Sequence, residues 1–205
     1  MNAKLTQVSG EDIYIERLDG LSTKVNISIF SKEDQEFIRD WDRKETIKND
    51  AIKARFITDV EGKSRWDNNG SGIVRKTWKE GYKIELSNES QLDLKNIRIE
   101  YLVFKFEDAM AAQKRSEGEV RKISDETKFP TLEAGSKAHV STKKFPMLET
   151  KLAPGYKWES GGKETSEDEM RGSWIKVFIG EILATEASKP ENLMRKESWP
   201  TSKSK

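Results

Sequence analysis

Apolar side chains recur at every second position in one stretch of this chain after another, and that spacing commits most of it to β-strands. Ile13 and Ile15 alternate with Tyr14 and Glu16. Val25, Ile27 and Ile29 alternate with Lys24, Asn26 and Ser28, the pattern of a sheet with one wet face. Tyr82, Ile84 and Leu86 alternate with Lys83 and Glu85. From Asn96 the alternation Ile97, Ile99, Tyr101 passes into the unbroken run Leu102-Val103-Phe104. Such a change predicts a strand buried on both faces, or a bulge that swaps them. Further strands are expected over 51–58, 131–143, 145–152 and 174–183.

One segment departs from period two. Ser31 can accept a backbone N–H as an N-cap, and Glu33 and Asp34 suit the positive end of a helix dipole. Phe37, Ile38 and Trp41 then fall on one helical face, so a helix is predicted over 32–43. Residues 44–50 are charged and read as a joint. Residues 109–123 fit either a helix or an excursion from the sheet, 158–171 read as a mobile polar loop, and the chain past Pro190 reads as a tail ending in a disordered Lys203-Ser204-Lys205. The organisation is therefore mainly β: a small unit with a short helix over 1–43, a linker over 44–50, a β-sandwich over 51–190 and a C-terminal tail over 191–205.

Composition narrows the chemistry. The 37 basic and 36 acidic residues balance to a formal charge of +1, against both a nucleic-acid binder and a polybasic membrane-surface protein. No apolar run is long enough for a transmembrane helix, so no membrane insertion is expected. With no cysteine, disulfides, thiol catalysis and thiolate metal sites are excluded. The single histidine, His139, sits on an alternating strand opposite Val140 in phase and is expected at the surface. These absences point to a non-catalytic protein that needs no cofactor.

Few residues stand out as sites. Asp67-Asn68-Asn69-Gly70-Ser71-Gly72 has the oxygen spacing of a calcium loop, but its twelfth position is Trp78 where a bidentate glutamate belongs, so it reads as a turn. Glu164, Glu167, Asp168 and Glu169 read as a hydrated acidic loop. Among six tryptophans, Trp41 and Trp174 lie in apolar patterns and are expected in the core. Trp158 precedes the polar loop and is the candidate platform for a glycan or a protein partner.

The order Asp12-Ile13-Tyr14-Ile15-Glu16-Arg17-Leu18-Asp19-Gly20, Val25-Asn26-Ile27-Ser28-Ile29, then Phe30-Ser31-Lys32-Glu33-Asp34, resembles the Sla-one homology domain of type one. Phe30 stands where that family has leucine, and the tryptophan and glycine that open the family pattern do not precede Ala3-Lys4-Leu5. The resemblance implies a small SH3-like barrel, truncated here, that binds Asn-Pro-Phe-x-Asp peptides. It places Arg17, with Lys24 as a weaker companion, where a basic residue faces the ligand's acid. If an upstream leader has been removed, a bacterial periplasmic or secreted location follows. The region around Gly81–Asn88 and Ile97–Tyr101 looks like an immunoglobulin-type sandwich, by pattern alone. The expected function is a peptide- or protein-binding scaffold. The alternatives are a carbohydrate- or envelope-binding sandwich and, third, a carboxylate-based hydrolase.

Overall fold

The computed structural model describes residues 3–49, 51–68, 70–108, 118–157 and 163–200. Its fold is mainly β, with three antiparallel sheets and two of them packed as a sandwich.

The first sheet is a meander of β1 (Ala3–Ser9), β2 (Asp12–Arg17) and β3 (Ser22–Asn26). One face carries Leu5, Val8, Ile13, Ile15 and Val25, and it packs with Ile27 and Phe30 on Ile38 of the helix that follows. The alternation of Val25 with Ile27 and Ile29 does not continue as a strand. Asn26 Oδ1 accepts the Ser28 N–H at 2.9 Å and turns the chain into a short 3-10 turn, Ile27–Ile29, leaving Ile29 exposed.

Helix α1 (Lys32–Lys48) starts where Ser31 predicts, with Ser31 Oγ accepting the Asp34 N–H at 3.1 Å. It runs about one turn beyond the predicted end at Arg43. The charged residues that read as a joint are held in the helix by i,i+3 and i,i+4 pairs, Lys48 with Glu45 at 2.8 Å and Lys44 with Asp40 at 2.6 Å. Ile47, the lone apolar residue of that stretch, is buried in the sandwich core beside Ala51 and Ile52. The buried positions are Ile38 and Ile47, with Trp41 half-buried between them; Phe37, expected on this stripe, is 65% exposed.

The sandwich follows. Its first sheet is built on the 16-residue β6 (Ile73–Asn88). On one side β6 pairs with β4 (Ile52–Glu61) and the short β5 (Asp67–Asn68); on the other it pairs with β9 (Lys137–Ser141) and β10 (Phe145–Leu152), with β11 (Thr165–Glu167) outside β10. The second sheet has the order β13-β12-β7-β8, from β7 (Leu94–Glu107), β8 (Glu119–Leu132), β12 (Glu169–Ile179) and β13 (Ile182–Lys189). Tyr82, Ile84 and Leu86 of the first sheet meet Ile97, Ile99, Val103, Ile175 and Val177 of the second in one core. Midway along β6, a Cβ on Gly81 would lie 2.8 Å from the Lys143 carbonyl oxygen, so glycine is what lets the link between β9 and β10 pass close by.

One alternative of the sequence reading holds at the site, and three differences from it matter there. The run Leu102-Val103-Phe104 is buried on both faces: Val103 points into the sandwich, while Leu102 and Phe104 pack outward on Trp174, Leu193, Met194 and Trp199. Residues just past Pro190 are accordingly not a tail. They form a short helix, α2 (Leu193–Lys196), and Trp199 meets Trp174 edge-on at 5.1 Å; Lys203 to Lys205 lie outside the described residues. From Glu119 the ambiguous stretch is strand β8, and its earlier residues 109–117 lie outside the described set. The expected strand over 174–183 is a hairpin, turned at Gly180 with φ 58°.

Candidate functional site

Arg17 and Lys24, the two basic residues singled out by resemblance, are not brought together. Ile13, Ile15 and Arg17 share one phase of β2, whereas Lys24 lies opposite Tyr14 on the other face of the meander. Each is already paired, Arg17 with Asp19 at 3.0 Å and Lys24 with Asp12 at 2.7 Å. The Asp12 carboxylate, by hydrogen bond and charge, holds the Lys24 ammonium above its ordinary value. Trp158 lies outside the described residues. His139 is exposed, as its phase on β9 predicts, and its Nε2 is 3.2 Å from Glu85.

Two concavities hold the more specific arrangements. The first is a groove of about 650 Å³ between β1 and α1. Lys4 to Val8 form one wall, and Trp41, Asp42, Glu45 and Asn49 the other. β1 is an edge strand that pairs only with β2, and among the described residues its outer edge makes no other backbone hydrogen bond. The ladder slips between Leu5 and Gln7, a bulge that bends the edge beside the groove. Trp41 is half-buried here rather than in the core. Burial pushes the Asp42 carboxyl above its ordinary value.

The second is a cleft of about 750 Å³ at the end of the sandwich, where the core face of β7 changes from apolar to charged. Val103 is followed in the same phase by Lys105 and Glu107. The Lys105 side chain is only 6% exposed, and its ammonium lies 3.0 Å from Glu107 Oε1 and 3.1 Å from Asp168 Oδ2. Asp168 is the single residue between β11 and β12, where the chain crosses from one sheet to the other. Its oxygens also accept the N–H groups of Leu148 at 3.1 Å and Asp108 at 3.3 Å. The acidic stretch that reads as a hydrated loop thus contains a buried corner clamp. Glu107 is paired on its other oxygen with Arg121 at 2.7 Å, and Asp108 with Lys163 at 3.1 Å. Trp78 and Met147 floor the cleft, and the Trp78 indole N–H donates to Glu80 at 2.9 Å.

Sequence reasoning missed Lys105 and Asp168, although one signal was present. A lysine in phase with four apolar core positions is out of place unless something pairs with it. Nothing in the sequence marks Asp168 as its partner, since the pairing depends on a chain crossing 63 residues later.

No known protein family and no curated protein matches this chain. Among solved structures, a Northeast Structural Genomics Consortium target is similar at 12% identity, covering 67% of this chain and 89% of that one with a TM-score of 0.29. A crystal structure from Akkermansia muciniphila is similar at 10% identity, covering 73% and 78% with a TM-score of 0.26. At those scores neither likeness bears on fold or function.

Proposed function

We propose that this protein is a non-catalytic binding module that takes an extended segment of a protein partner into the groove between β1 and α1. The observation that carries the reading is the unpaired outer edge of β1 facing a helix that presents a half-buried tryptophan. A strand added to that edge gains main-chain hydrogen bonds, and the groove wall selects among its side chains. Asp42, partly desolvated on the groove wall beside Glu45, makes a lysine or arginine of the partner the complementary side chain. Lack of catalysis is supported by the state of the carboxylates at the other concavity, where Glu107, Asp108 and Asp168 are all held in ion pairs.

The resemblance to the Sla-one homology domain supplies a related but distinct ligand, the Asn-Pro-Phe-x-Asp peptide, with Arg17 facing its acid. The order strand, turn, strand, capped helix agrees with that family's grammar. Both readings are tested by one titration followed through the Trp41 and Arg17 NMR signals, with a Lys-containing strand-forming peptide set against Asn-Pro-Phe-x-Asp. Saturable shifts at Trp41, abolished by Trp41→Ala, support the groove; aspartate-dependent shifts at Arg17 support the family ligand. If neither peptide nor a library of extended heptapeptides moves either signal, peptide binding is wrong.

A further inference from the structure

The cleft at the end of the sandwich has donor and acceptor chemistry that suits one kind of ligand. The Lys105 ammonium carries three protons, and two acceptors, Glu107 and Asp168, lie within reach of it among the described residues. One buried donor is therefore available beside two carboxylates that retain spare lone pairs. An incoming anion meets those carboxylates, and an incoming cation meets the buried ammonium. A hydroxyl is different, because it accepts from the lysine and donates to a carboxylate at the same time.

The wider charge balance points the same way. Four carboxylates and two ammonium groups line the cleft. Arg121, Lys163 and Lys144 pair with three of those carboxylates, and Asp59 shares Lys144, which brings the surroundings to neutrality. Pro146 and Leu148 border the polar head, and the nearly buried Trp78 and Met147 lie beneath it. A volume of about 750 Å³ lies within the range of small-molecule sites. A core position filled by lysine is also an expensive way to close a sandwich, since a well-packed apolar residue does so without desolvating a charge.

We propose that this cleft is a binding site for a neutral saccharide, with Lys105, Glu107 and Asp168 engaging its hydroxyls. The site is separate from the β1–α1 groove, so the two readings stand or fall independently. The test is an NMR titration of the intact chain with maltotriose, cellotriose and triacetylchitotriose in turn, followed at the Trp78 indole N–H and the Lys105 ammonium. Acetate and methylammonium serve as anionic and cationic controls. At least one saccharide is expected to shift both signals saturably, with neither control doing so. Lys105→Met is expected to weaken binding at least tenfold. Because that variant also disturbs the corner, Pro146→Trp, at an exposed lining position, is used to fill the cleft with the fold intact, and is expected to abolish binding. Silence from all three sugars, equal binding by Pro146→Trp, shifts confined to other regions, or tighter binding of either control each overturns the proposal.

Discussion

Replacing Asp168 by alanine removes the group that clamps the crossing between the sheets, and the size of the loss follows from its surroundings. The Lys105 ammonium, 6% exposed in its side chain, keeps only Glu107 as an ion-pair partner among the described residues. The N–H groups of Leu148 and Asp108 lose their acceptor as well. Leaving one member of a buried pair unmatched costs about 3–5 kcal/mol. The orphaned N–H groups add less than a fully buried pair, because both are only part-buried and water reaches them. A destabilisation of about 4 kcal/mol is expected, which for a chain of this length lowers Tm by about 8–16 °C. Lys105→Met is expected to cost only about 1–2 kcal/mol, because Asp168 keeps two backbone donors and Glu107 keeps Arg121. The double variant, which leaves no buried ammonium unmatched, is expected to lose about 2 kcal/mol less than Asp168→Ala alone, and urea denaturation of all four proteins gives a coupling energy of about 3 kcal/mol. Asp168→Ala losing less than about 1 kcal/mol, or a coupling energy near zero, would show that the pair behaves as an exposed one and that the corner is held by something else.

Two further outcomes follow from the same packing. Burial raises the Tyr82 hydroxyl to about 12 from 10.0, so its neutral form is favoured in the folded state. The stability linked to it is intact below pH 10 and is lost as pH rises toward 12, about 2–3 kcal/mol in all; urea midpoints across that window, compared with Tyr82→Phe, check it, and a flat difference refutes it. Trp199→Ala removes the edge-on contact with Trp174 and the cover over Leu102 and Phe104, and is expected to cost about 2 kcal/mol with loss of near-UV circular dichroism; an unchanged melt would mean that the C-terminal segment is only laid on the sheet.

The strands legible in the sequence are those whose two faces differ in polarity. Phe145 to Leu152 is β10 residue for residue, and Ile97 to Phe104 was recognisable as a strand buried on both sides. β8 escaped because it is a 14-residue edge strand whose outer positions include the charged Lys122, Glu126 and Lys128, while its inner phase mixes Ile123 and Phe129 with Arg121, Asp125 and Thr127 before Leu132 enters the core. Charge on an edge prevents pairing with another chain, and it also dilutes the apolar signal that marks a strand. The end of α1 was read short because one buried residue, Ile47, anchors its last turn, and a single residue has no period. At the sites, the two basic candidates were chosen by position in a motif, while the faces they occupy depend on register: Tyr14 opposite Lys24 separates Lys24 from Arg17. Lys105 was visible as an anomaly of phase, but its meaning came only with Asp168.

Helix α1 touches both parts of the molecule, with Ile38 in the small core under the meander and Ile47 in the core of the sandwich. The groove lies along its second half, from Trp41 to Asn49, the same half whose Ile47 enters the sandwich core, so a shift of the helix there acts on that core directly. A close-packed interior does not absorb such a shift without rearrangement. If a strand binds the groove as proposed, it presses on the helix half that carries Ile47, and its occupancy is expected to reach the core residues beside Ile47, such as Ile52.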